Sequence, residues 1–345
     1  PSLRGGTFNG VISGDTSELD VTVNDDVVVE LNAANTYRGV TEVGSSSLAG
    51  TVNANHGRAL GDPNQGTHVR SGQLHINTAT DEPIVVTDRG HVALNVQQPR
   101  LPRLFRTDRF NPPRLQKTAI NVPSTYVEHV DVTEGTLEII ADTTIAGAKI
   151  RDHGGIRVAE GATLQIDADE LIIESGSIEG NVQGPTTVRK ITQQTAEVES
   201  LPGFGGEVVV DAGTLVVNSS PDLASGGAFR VSSPRNAVLQ LGPNRSNFDD
   251  IFVEADIHLN NAHGVTHGGA LFFKDTNVFL TGQLSLGDVG STVRGLNTSG
   301  PITGGALHVV DGGKISGDGH TYAGATHISS GVLQLEDQGA LQSTS

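Results

Sequence analysis

Apolar and polar residues alternate along most of this chain, and glycine interrupts the alternation at short intervals. Five segments show the pattern most clearly. They are GTHVRSGQLHI from Gly66, HVDVTEGTLEII from His129, IRVAEGATLQI from Ile156, EVVVDAGTLVVN from Glu207 and THISSGVLQL from Thr326. Each reads as a short β-branched strand, a corner built on glycine, and a second strand that opens on Leu-x-apolar. A period of two turns one face inward, and glycine permits a corner with φ > 0 where a side chain would clash. Helical periodicity is scarce.

The unit recurs at a ragged interval. Leu164, Leu215, Leu239, Leu259 and Leu284 are 51, 24, 20 and 25 residues apart, the first gap being close to two periods. A coil of roughly 20–25 residues suits a three-sided solenoid whose strands stack about 4.8 Å apart. The predicted fold is all-β, a right-handed parallel β-helix with irregular loops, the hand following the general preference of parallel crossovers. Val208, Val210, Leu215 and Val217 are expected inside one layer, and Ile156, Val158, Leu164 and Ile166 inside another.

Composition narrows the picture. The 345 residues include 44 Gly, no Trp and 4% aromatics, and 36% are apolar, a stock better suited to a thin repeating core than to a wide one. With no Cys, neither disulfides nor thiolate metal sites hold the fold. With no Met, the chain reads as a processed product or a fragment. The net charge of −17 argues against nucleic acid as a partner and fits an extracellular protein. No run of about 18 apolar residues is present, so this segment is not expected to insert into a membrane.

One stretch departs from the texture. QQPRLPRLFRTDRFNPPRLQK, from Gln97 to Lys117, holds four prolines and six basic residues against one Asp. The prolines argue against a central strand, and residues 97–125 are expected to form a loop or arm between an N-terminal solenoid block (1–96) and a main solenoid (126–345). Arg100, Arg103, Phe105, Arg106, Arg109, Phe110, Arg114 and Lys117 are the candidate site. Three readings stay open for it: docking onto an acidic face of a second copy, a solvated linker or processing site, and contact with an acidic glycan or lipid headgroup.

The two ends of the chain match each other. NTYRGVTEVGSSSL from Asn35 aligns without a gap to HTYAGATHISSGVL from His320. Asn35, Thr36, Tyr37, Gly39, Thr41 and Leu48, followed by Ala59-Leu60-Gly61, resemble the passenger-associated repeat of bacterial autotransporters. Ser46 departs from the glycine usual before the leucine. The second copy carries Thr321, Tyr322, Gly324, Thr326, Gly331 and Leu333, with His320 in place of the Asn, and GALQSTS looks like the start of the same continuation. The chain is therefore expected to continue, or to be capped by another copy. Gly-Gly-Ala-apolar, at Gly226, Gly268 and Gly304, looks like an element of chlamydial polymorphic outer-membrane proteins and is read here as a coil corner. The resemblance implies a right-handed β-helix on the bacterial outer surface; it does not fix an activity.

Other chemistry is weaker. Asp249-Asp250, Asp25-Asp26 and the Asp167/Asp169/Glu170 group are carboxylates of the kind glycoside hydrolysis pairs across a sugar bond, but adjacent acids at a corner are usually solvated. His263 and His267 lack the helix their spacing would need. Gly312 to His320 resembles one calcium nonapeptide, too few to build a roll. No catalytic residue, cofactor or metal is expected. The reading is a non-enzymatic, secreted or surface-exposed structural or adhesive solenoid that self-associates into an oligomer or fibre, with a host or cell-surface glycan or protein as a further candidate partner. The alternative is a polysaccharide-degrading or tailspike-like β-helix enzyme.

Overall fold

The computed structural model describes residues 3–14, 19–21, 27–45, 49–87, 90–95, 100–101, 104–107, 118–120, 125–133, 135–184, 187–198, 204–218, 227–232, 236–242, 251–260, 270–274 and 278–336. Regular structure there is all strand, the strands pair in parallel, and they lie in three sheets. Each strand pairs with the one a turn later: Val130 faces Ala148, Val29 faces Val52 and Phe229 faces Ile257. This is a β-solenoid. Its turns vary in length because loops of different size leave the corners.

The chain forms two compact units, residues 1–168 with 181–184 and residues 169–180 with 185–345. In the first unit one sheet runs from Gly6–Phe8 to Gly155–Val158 and a second from Leu19–Val21 to Ala148–Arg151. A third side, Arg100–Leu101, Thr125–Val127, Thr143–Ile145, Leu164–Ile166 and Val182–Gln183, belongs to its later turns. In the second unit the described strands form two sides.

Interior side chains stack in axial ladders. Leu31, Ala54, Ile76 and Leu94 form one in the first unit, and Val198, Val217 and Leu241 another in the second. All these residues are buried, and each fully buried aliphatic side chain is worth about 1.5–3 kcal/mol. The eight inward positions expected from sequence are buried as well. Val209 and Val216 are buried too, although alternation points them outward.

All five glycine-punctuated segments become strand, corner, strand. At Gly213 the backbone takes φ +68°, and a side chain there would collide with the carbonyls of the turn below. The leucine spacing needs correcting, however. Leu215 stacks on Leu239, but Leu259 lies on the second sheet, over Leu286, and Leu164 lies on the third. The interval looked ragged because these leucines sit on different sides of the coil.

The expectation of no central strand within the basic segment is corrected also. Leu104–Thr107 pairs with Ile84–Val86 on one edge and Val130–Thr133 on the other, and Leu104 is buried. Proline excludes a strand only where it removes a ladder N–H. Pro102 and Pro112 lie outside this four-residue run, which is free to pair.

Candidate functional site

The candidate basic residues divide between strand and undescribed chain. Arg100 lies in a strand opposite Tyr126, Phe105 opposite Val85 and Asp131, and Arg106 opposite Val86 and Val132. Arg103, Arg109, Phe110, Arg114 and Lys117 lie outside the described residues. Asp25, Asp26, Asp249, Asp250, His263 and His267 also lie outside them. Asp167 and Asp169 are exposed, and Glu170 is ion-paired to Arg189.

The repeated N-T-Y-x-G-x-T element forms a polar corner. Asn35 is buried; its Oδ1 accepts from the Ile12 N–H (2.9 Å) and its Nδ2 donates to the Ala59 carbonyl (2.5 Å). Thr41 Oγ1 donates to the Leu60 carbonyl (2.8 Å), so the Tyr37 hydroxyl, 2.5 Å away, donates to Thr41. Gly61 lies against the Tyr37 ring, where a Cβ would come within 2.5 Å of a ring carbon. The trailing Ala-Leu-Gly thus supplies two acceptors and a gap for the ring. Burial pushes the Tyr37 hydroxyl up, which keeps it a donor. Nearby Glu82 is buried and accepts from Thr67 Oγ1 (2.9 Å); burial, with the Asp62 charge adding, pushes its carboxyl up to about 8.

The second copy repeats half of this corner. Tyr322 OH is 2.6 Å from Thr326 Oγ1, and His320 Nδ1 accepts from the Ile302 N–H (3.1 Å) as Asn35 Oδ1 does from Ile12. The proton then sits on Nε2, a buried donor with no partner among the described residues. In the first copy the equivalent donor is answered by Ala59, whose counterpart near Ala340 lies outside them. The corner is therefore structural: it locks one turn onto the next.

Outward positions form ladders that the sequence reading missed. Asn9, Asn32, Asn55, Asn77 and Asn95 each follow the last apolar residue of a strand, and their amides join in a chain at 2.7–2.9 Å. The recurring apolar-Asn pair was the available signal. Ion pairs stand outward as well, Arg70 with Glu42 in the first unit and, in greater number among the described residues, Arg189 with Glu170 and Asp211, Arg230 with Glu207, Arg294 with Asp311 and Lys314 with Glu336 in the second.

The second unit also carries a groove. Its two strand rows, Leu271–Phe273 and Val278–Leu280, each pair with one long strand, Ser291–Thr298, which pairs in turn with Leu307–Ile315. The long strands bend at a register shift between Arg294 and Leu296, where Gly295 has φ +65° and Asp311 φ +62°. The bend opens a concavity of about 640 Å³ lined by Phe272, Phe279, Lys274, Arg294, Asp311 and Lys314, among others. Arg294 lies 4.8 Å over the Phe272 ring and donates from Nε to Asp311 (2.6 Å). Hydrogen bonds from Arg294 and Ser330 hold the Asp311 carboxyl below the usual range. Phe279 stacks on Phe252 with centroids 5.4 Å apart.

Comparison with known proteins agrees with this architecture. Over 234 residues the chain is 27% identical to the adhesin BmaC autotransporter of Brucella suis biovar 1 (strain 1330). The chain fits an autotransporter passenger domain. The match takes in 66% of this chain and 6% of the Brucella protein's length. No family model matches the chain, and no solved structure matches it significantly.

Proposed function

We propose that this passenger segment is an extracellular, surface-displayed adhesive stretch of a larger protein, and that it acts by binding and not by catalysis. The observation that carries the reading is a parallel coil similar in sequence to a protein named an adhesin. The outward ladders support it, since a stack of turns offers the same side-chain types repeatedly along one face, a geometry suited to extended contact. At the groove, Asp311 is engaged by Arg294 and kept ionised, a state that suits orienting a ligand better than delivering a proton.

Beads coated with the purified chain, applied to host-cell monolayers and to immobilised matrix proteins, test this. Saturable retention that free chain competes away is expected. Background retention together with turnover of a polysaccharide would overturn it in favour of an enzyme. Self-association is a separate proposal, read by sedimentation at rising concentration; a single monomeric species throughout would end it.

A further inference from the structure

We propose that the groove of the second unit binds an acidic glycan, a linear chain of sugars bearing carboxylate or sulfate groups. This rests on the adhesive reading and gives it a ligand class.

Three successive turns each bring one cation to the groove: Lys274 after Leu271–Phe273, Arg294 within Ser291–Thr298, and Lys314 within Leu307–Ile315. Adjacent turns rise about 4.8 Å, and the cations step across the strands as the turns rise: Arg294 stands opposite Phe272 and Val310, and Lys314 opposite Asn297. Asp311 is the one carboxylate in the lining, paired with Arg294, while Lys314 is paired with Glu336 at its edge. On a chain of net charge −17 this is a local excess of positive charge, and cations carried on successive turns complement a polyanion crossing them obliquely. Arg294 is held from two sides, by the Phe272 face and by Asp311, so little side-chain freedom remains to be lost on binding. Its pairing through Nε leaves the terminal nitrogens for a second anion.

The remaining lining suits sugar. Phe279 offers an aromatic surface for the apolar face of a pyranose, and Asn297 an amide for hydroxyls. The floor at Gly313 is bare backbone, since a Cβ there would overlap the Leu296 carbonyl, and a ligand can come close. An extended peptide is disfavoured. The long strands flanking the groove are paired along both edges, so no free edge is offered for strand addition.

The test is retention of the whole chain on immobilised heparin, the sulfated arm, and on polygalacturonate oligosaccharides, the carboxylated arm, at low and high salt. Salt-sensitive binding to at least one arm is expected, weakened about tenfold or more in Lys274→Gln/Lys314→Gln and unchanged in the remote control Lys149→Gln. Melting of the double variant is measured alongside; should it fall, Lys314→Gln alone replaces it. Undiminished glycan binding by a folded variant overturns the proposal. So does equal binding of poly-glutamate or single-stranded DNA, which would reduce the groove to charge alone. If the chain binds neither glycan yet still holds beads to cells, the groove assignment fails and the adhesive reading stands. Loss of both sinks both.

Discussion

The two units solve the same problem with different outward chemistry. Both coil parallel strands around aliphatic ladders, and both use a tyrosine–threonine corner. The first carries a row of amides, Asn9 through Asn95, beside the Arg70–Glu42 pair on its outer face, and hides a carboxyl, Glu82, inside. The second dresses its face with ion pairs and hides an ammonium. Lys190 stands in an interior ladder between Ile173 and Val210, and its Nζ donates to the carbonyls of Thr192 and Ala212 and to Thr192 Oγ1. Burial pushes it down to about 8. A solenoid interior therefore admits a polar group wherever a corner can supply its hydrogen bonds, and the outward face is free to vary because the axial backbone bonds, not the surface, hold the stack.

The comparison breaks most severely in the interior. Leu215→Asp places an unpaired charge in the ladder between Ala196 and Leu239, and a loss of about 4 kcal/mol or more is expected in denaturant unfolding. A melting curve matching the parent would contradict the stacked core. Next comes Gly61→Ala. The new methyl meets the Tyr37 ring at a backbone with φ +98°, and about 2–3 kcal/mol should be lost. Hydrogen exchange should localise that loss to the turns around Tyr37 and leave those around Tyr322 unchanged.

The two buried ionisable groups predict opposite pH slopes. Glu82 has its folded pKa raised from 4.5 to about 8. The folded state holds the extra proton in that window, so the first unit loses stability as pH rises through it. Lys190 has its folded pKa lowered from 10.5 to about 8. There the unfolded state holds the extra proton, so the second unit gains stability as pH rises from 8 towards 10.5. Glu82→Gln should flatten the first slope and Lys190→Met the second, as read by region-resolved hydrogen exchange across pH. Slopes of the same sign in both units would refute the assignment.

The surface ladders should matter least. Asn55→Ala removes amide bonds to Asn32, Asn77 and Glu30 at an exposed site and should cost about 1 kcal/mol, independent of salt. Arg189→Gln removes two half-exposed ion pairs and should cost about 1 kcal/mol or less, shrinking as salt rises. Equal salt dependence in the two variants would erase the distinction between the units.

The strand–glycine–strand grammar was legible in the chain because period-two alternation and a φ > 0 corner are local properties. So were the eight core positions and the paired Tyr-x-Gly-x-Thr elements, whose hydroxyl partners lie four residues apart. The basic segment misled because proline density was weighed over the whole stretch, while the strand needs only Leu104–Thr107. The groove was not legible at all. Phe252, Phe272, Phe279, Arg294 and Lys314 are spread over four turns and meet only where those turns stack.

The amino-acid order alone determined that this protein would be parallel strands wound around small aliphatic tiers, since each strand carries its inward face and each corner its glycine. It did not determine which side of the coil each corner joins. EVVVDAGTLVVN turns from the second sheet into the first, IRVAEGATLQI from the first into the third, and THISSGVLQL continues along one sheet. The same local pattern serves all three, because a glycine corner permits a change of direction without fixing its size. Stacking on the turn beneath selects the side, and with it the outward residues that become neighbours.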